Sequence, residues 1–167
     1  ICNGFQILVK SGLLPGNSDN EQVASLITND SAKFEARWVY LKPNPESVCV
    51  WTRNISEVMY LPVAHGEGKF VCKDSSVLKK IESNKQVALV YCNEDGSMGG
   101  YPVNPNGSIQ DIAGISDATG RVFGLMPHPE RHIAFWQHPR WTECKGDFAG
   151  DGLAVFENGV KFVSQNV

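Results

Sequence analysis

The chain has 167 residues, with 15 basic against 18 acidic side chains and a formal net charge of −3. That is one domain's length, with no basic footprint for nucleic acid, whose binding needs clustered Lys and Arg to displace phosphate counterions. With 42% apolar, 10% aromatic and 20% charged residues, disorder, collagen-like repeats and coiled coil are excluded. The longest uninterrupted apolar run, Val87 to Cys92, falls far short of the roughly 20 residues that a membrane span needs.

The opening Ile1-Cys2-Asn3-Gly4-Phe5-Gln6 has neither the charged start nor the apolar core of a signal peptide, and no initiator Met. The cysteines at 2, 49, 72, 92 and 144 are odd in number and form no C-x-x-C pair. Neither a disulfide framework nor a zinc site is indicated, and reduced thiols in a cytoplasmic setting are expected. On that footing the N-x-S/T matches at Asn29, Asn54 and Asn106 are chance.

In chain order, Phe5 and Ile7-Leu8-Val9 read as a short helix, stopped by Gly12 and Pro15. Aromatic and β-branched residues mark strands over 34–41, 48–52 and 58–63, separated by polar turns at Pro43-Asn44-Pro45 and Arg53-Asn54. Residues 75–83 read as an amphipathic helix with Val77, Leu78 and Ile81 on one side. Residues 87–92 read as a strand buried on both faces. A long Gly- and Pro-rich loop over 94–108 hints at a functional surface. Strands over 112–116 and 121–126 flank the turn Asp117-Ala118-Thr119-Gly120, and an amphipathic helix over 153–163 closes the chain. Strands interleaved with helices indicate an α/β domain, with enough strand over 34–126 for some antiparallel pairing.

Two places carry candidate chemistry. If a strand precedes Ile1, Cys2 occupies a sharp strand-to-helix turn, a nucleophile elbow. That turn exposes the sulfur at a helix start, where unpaired N–H groups stabilise an anion, and Gly4 is expected to allow close packing there. The competing reading of Cys2 is a small buried hydrophobe. The second place is Met126-Pro127-His128-Pro129-Glu130-Arg131-His132. Prolines on both sides of His128 favour an extended segment, in which Glu130 points the same way as the imidazole and can fix its tautomer. The competing reading is a solvated turn. His128 and His132 also have metal-ligand spacing, but Pro129 opposes the helix that such a pair needs. Together, Cys2, His128 and Glu130 supply nucleophile, base and orienter.

At these residues the sequence closely resembles the triad-type (class I) glutamine amidotransferases, and within them the glutaminase branch of phosphoribosylformylglycinamidine synthase in purine biosynthesis. The resemblance runs from Ile1-Cys2-Asn3-Gly4-Phe5-Gln6 through Phe34-Glu35-Ala36-Arg37-Trp38-Val39, Pro62-Val63-Ala64-His65-Gly66-Glu67-Gly68 and Asn104-Pro105-Asn106-Gly107-Ser108 to Met126-Pro127-His128-Pro129-Glu130-Arg131 and Gly152-Leu153. It implies a flavodoxin-like α/β fold with a mostly parallel central sheet and added antiparallel strands. Residues 1–167 would then be the C-terminal portion of a single amidotransferase domain, whose N-terminal part is absent from this chain.

The implied enzyme is a glutaminase, subunit of an ATP-dependent C–N ligase. Its catalytic residues would be Cys2, His128 and Glu130, with an oxyanion donor in the Asn3 backbone N–H. Gln6, His65, Gly66 and Glu67 would lie at the glutamine pocket or a subunit face, although His65 and Glu67 read equally as solvated turn residues. No cofactor or metal is implied in this chain. ATP and Mg would belong to a synthetase partner of the PurL type, with or without a small third subunit, and neither nucleic acid nor membrane is an expected partner. Another cysteine-dependent amide hydrolase on the same fold, and a non-catalytic interaction module, are the competing functions.

Overall fold

The structure, a computed structural model, describes all residues except 18, 20, 144–147 and 167. Cys144 therefore lies outside the described residues, and Cys2, Cys49, Cys72 and Cys92 are free thiols.

Helix α1 (Asn3–Lys10) opens the chain, followed by β1 (Ala24–Ile27), β2 (Glu35–Pro43), β3 (Met59–His65) and β4 (Lys69–Cys72). Then come α2 (Ser75–Ser83), β5 (Val87–Cys92), β6 (Ile112–Ser116), β7 (Phe123–Leu125) and α3 (Leu153–Asn166). The main sheet has five strands in the order β3-β2-β5-β6-β7, and β1 pairs with β4 in a separate two-stranded ribbon. Alternation places Met59, Leu61, Val63 and His65 of β3 inside, facing Val39 and Leu41 of β2 and Leu89 and Tyr91 of β5. On the other side of the sheet Phe5 and Val9 of α1 pack with Phe70 of β4, Leu78 and Ile81 of α2, and Ile115 of β6. Asp74 caps α2, its carboxylate accepting the N–H groups of Ser76 at 2.8 Å and Val77 at 3.1 Å.

The α/β reading holds, as do the elements at 75–83, 87–92 and 112–116. Every strand pair among the described residues is antiparallel. The antiparallel share of the expected sheet is therefore what these strands build, and the expected parallel pairing is not among their ladders. Short reversals explain this: Asp117 accepts the N–H groups of Thr119 and Val122 and folds β6 straight back onto β7. The stretch over 48–52, expected as a strand, is instead a loop ending in a single 3-10 turn, Val50–Thr52. Its strand-forming residues serve burial: Val50 donates its N–H to Gly120 O, and Asn158 of α3 bonds the carbonyls of Trp51 and Arg53. Strands β1 and β4, each of four residues, carry too few alternations to have been read.

β3 and β7 are the two edges of the main sheet, yet both reach the same residue. The Cys2 N–H donates to Leu125 O of β7 at 2.8 Å, and the Cys2 Sγ lies 3.8 Å from Ala64 O of β3. The sheet is thus curled, with the start of α1 wedged between its rims. Gly124 makes this possible, since any Cβ there would collide with Phe5 and Leu14.

Candidate active site

Cys2 stands at the N-cap of α1 with φ 50° and ψ −110°, a conformation that side-chain-bearing residues avoid and that persists only where the surroundings impose it. The imposing bonds are those to Leu125 O and the first helical turn, in which Phe5 N–H donates to Cys2 O. This is the geometry of a nucleophile elbow. Contrary to the expectation from the sequence, Gly4 does not serve close packing: a Cβ there would meet nothing within 4 Å. The tight glycine is Gly124, on the strand below. Asn3 is the first helical residue, so its N–H has no carbonyl within the helix to bond.

His128 is 7% exposed. Its Nδ1 lies 2.6 Å from Glu130 Oε1, and because a carboxylate only accepts, Nδ1 carries a proton, which in the neutral tautomer leaves the lone pair to Nε2. That Nε2 is buried without a hydrogen-bond partner among the described residues. The spacing placed Glu130 beside His128, but not by the expected route. Pro129–Arg131 form a 3-10 turn rather than an extended run, with Arg131 N–H donating to His128 O. The Arg131 Nε, 3.6 Å from the same Glu130 oxygen, is half exposed and adds little.

Cys2 and His128 are hung on one strand. The Cys2 sulfur meets Ala64 O, and the His128 N–H donates to Pro62 O at 2.9 Å. Carbonyls two residues apart on a strand face the same side. That side is the free edge of β3, where Pro62, lacking an N–H, is tolerated.

His65 is not a solvated turn residue. It is 3% exposed and points into the core from the end of β3. Asn29 holds it: its Nδ2 donates to Lys33 O and His65 O, while its Oδ1 lies 2.9 Å from Gly68 N and 3.1 Å from His65 Nδ1. Burial pushes the His65 imidazole down from 6.5 to about 4. The unfolded chain therefore binds more protons between these two pH values, and the fold gains stability as pH rises through that window. The stabilisation is complete above pH 6.5 and is lost on acidification towards 4, about 3 kcal/mol in all. In His65→Asn, thermal unfolding followed from pH 7 to pH 4 should show a correspondingly shallower decline in Tm; an unchanged slope would remove His65 from the account.

Gly66 lies in the same loop, where its carbonyl accepts the Asn29 N–H. Glu67 is exposed, and its carbonyl accepts from Gln6 Nε2 at 2.7 Å. Asn3, Gln6, Lys10, Gln22, Ser25 and Glu67 line a polar cavity of about 570 Å³ beside the elbow. A larger cavity of about 780 Å³ lies between β2 and the 93–103 loop, and neither Cys2 nor His128 lines either cavity.

Three residues of this region were given no role from the sequence, Asn106 entering only within the Asn-Pro-Asn-Gly-Ser segment of the resemblance. Asn29 and Asn106 read as chance glycosylation matches, and Tyr91 as one more apolar strand residue. In the fold Asn106 Nδ2 donates to Tyr91 Oη, and Asn106 Oδ1 accepts from the Ser108 N–H and hydroxyl. Ser108 Oγ in turn accepts the Phe70 N–H. A Cβ on Gly68 would strike both the His65 ring and Asn106 Nδ2. The His-Gly-Glu-Gly and Asn-Pro-Asn-Gly-Ser segments thus interlock into one buried polar bolt. Their spacing on the chain, about 40 residues, hides this partnership from any local pattern.

The chain matches the CobB/CobQ-like glutamine amidotransferase domain family over residues 1–163. It is 49% identical over 166 residues to phosphoribosylformylglycinamidine synthase subunit PurQ of Dehalococcoides mccartyi, covering 99% of this chain and 63% of that protein. The subunit of the same name from Methanococcus maripaludis strain S2 is 42% identical over 179 residues, covering 99% of this chain and 65% of that protein. Among solved structures, PurLQS from Thermotoga maritima matches with a TM-score of 0.67 at 31% identity, over 96% of this chain and 59% of that one. The chain thus spans less than two thirds of the length of these relatives. A match that runs through Cys2, His128 and Glu130 makes the chain a member of the CobB/CobQ-like glutamine amidotransferase family.

Proposed function

We propose that this chain is the catalytic portion of a glutaminase subunit of phosphoribosylformylglycinamidine synthase. The observation that carries the reading is the pairing of a strained cysteine at a helix start with a buried imidazole whose Nε2 is unpartnered, both seated on the edge of β3.

In this reading Cys2 Sγ attacks the side-chain amide carbon of glutamine while His128 Nε2 takes the thiol proton. The same proton goes to the departing nitrogen, the C–N bond breaks and ammonia leaves a γ-glutamyl thioester. Water, deprotonated by His128, then splits the thioester to glutamate and regenerates the thiol. Glu130 keeps the ring in one tautomer and stabilises the transient imidazolium. The Asn3 N–H supports the oxyanion, a contribution worth about 3 kcal/mol per donor in comparable sites. Gln6 and Glu67 border the cavity, next to Asn3, in which the amino acid would sit.

The ammonia passes to a synthetase of the PurL type, to which this reading assigns ATP, Mg²⁺ and formylglycinamide ribonucleotide, in the cytoplasm. The 49% and 42% identities to PurQ subunits support that partnership.

A γ-glutamyl chloromethyl ketone tests substrate class. Mass spectrometry should find one adduct, on Cys2, formed more slowly when free glutamine competes. Labelling that glutamine leaves unaffected would move the site to another amide hydrolase, and no labelling of Cys2 would end the catalytic reading.

A further inference from the structure

We propose that His132 is a positioning residue for His128: its imidazole pins the far end of the His128 turn to β3, so that the turn is attached to that strand at two points rather than one. This rests on the reading of His128 as the general base.

The free edge of β3 presents the N–H and C=O of Tyr60, the C=O of Pro62 and the C=O of Ala64 in succession. Each has a partner from outside the sheet. Asp151 Oδ2 accepts the Tyr60 N–H at 2.6 Å, and His132 Nδ1 lies 2.8 Å from Tyr60 O. The His128 N–H takes Pro62 O, and the Cys2 sulfur meets Ala64 O. Residues 128–132 therefore lie along the edge in place of a further strand, with a backbone donor at one end and a side-chain donor at the other. Without the His132 bond, only the His128 N–H ties this turn to β3, and the far end rests on the Gly152 and Gly150 N–H groups alone.

His132 is built for this single task. Its partner is a carbonyl, which only accepts, so Nδ1 carries the proton of this bond. The ring is 1% exposed, and its Nε2 has no hydrogen-bond partner among the described residues. Trp38 meets it edge-on, with centroids 5.1 Å apart and planes at 79°. From the other side Gly152 N–H donates to His132 O, and Gly150 N–H to Ile133 O. Cβ atoms on these two glycines would run into the His132 and Pro129 backbone. The Gly-Asp-Gly segment that supplies Asp151 is thus also the clasp that closes over the turn.

The test is steady-state glutaminase kinetics of the natural full chain with its synthetase. His132→Phe fills the ring's space but donates nothing. It should lower kcat by roughly 10- to 100-fold, the range expected when a reacting group is misplaced by up to about an ångström, and leave KM for glutamine within about twofold. His132→Asn, whose side-chain N–H can reach where Nδ1 sits, should restore kcat to within about threefold of the parent. A merely structural residue would lower Tm in both variants without this split. If His132→Phe does not fold, His132→Met, flexible and equally unable to donate, is judged by the same criteria.

Wild-type kcat in the folded Phe or Met variant overturns the proposal, as does equal impairment of the Asn and Phe variants. His128→Asn separates the two levels: turnover retained there defeats the glutaminase reading itself. Turnover lost there but intact in His132→Phe defeats only the positioning role.

Discussion

Replacing Cys2 by alanine should reduce glutamine-driven turnover by roughly 10⁴- to 10⁶-fold, the loss typical when the nucleophile of an interdependent triad is removed. The assay is glutamate release by the natural full chain with a synthetase present. An ammonium salt supplied in place of glutamine bypasses the step and should support product formation at the parent rate. The size of the effect follows from the division of labour at the elbow. In the proposed mechanism Glu130 and His128 only move and stabilise a proton, and the Asn3 N–H only stabilises the oxyanion; none of them would form the bond to carbon that the sulfur forms. Alanine removes one part-buried sulfur from the margin of the core and a long contact to Ala64 O at 3.8 Å. A Tm close to that of the parent, measured alongside, separates lost chemistry from unfolding. Glutamine-driven turnover within tenfold of the parent would sink the thioester route.

The largest effect on stability is expected at Asn29. Asn29→Leu preserves shape but removes two donors and one acceptor. Lys33 O, His65 O, Gly68 N–H and His65 Nδ1 then all lose their partner. Asn29 is 2% exposed, so little water can replace what is lost, and buried groups left unpaired cost about 1–3 kcal/mol each. Because the four groups share one side chain and relax together, the expected sum is about 4 kcal/mol rather than the full addition. For a domain of this size that corresponds to a fall in Tm of roughly 10 °C. Calorimetry of the variant beside the parent measures it, and a change below about 3 °C would show that the network is dispensable.

Local chemistry was legible where it decides local structure. The continuous apolar run at 87–92 and the amphipathic spacing at 75–83 became β5 and α2 with the expected bounds. Local preference failed where a distant partner decided the outcome. Val50 and Trp51 favour a strand, but the carbonyls around them are claimed by Asn158, more than 100 residues on. At the candidate site the members of the Cys-His-Glu set could be named because each chemical role needs a particular residue type. The framework that holds them could not: Asn29, Tyr91 and Asn106 are ordinary residues until the fold brings His65 and Gly68 against them. Glu130 illustrates both sides, since a two-residue spacing pointed to the right neighbour through the wrong backbone shape.

Cys2 is tied through its amide to one rim of the curled sheet and through its sulfur to the other. The reacting atoms therefore sit on a seam rather than inside any single element. Torsion of the sheet would become misalignment at that seam, so under the proposed mechanism substitutions in β2 or β5 that alter strand twist, remote from sulfur and imidazole alike, should register as slower chemistry with glutamine binding retained.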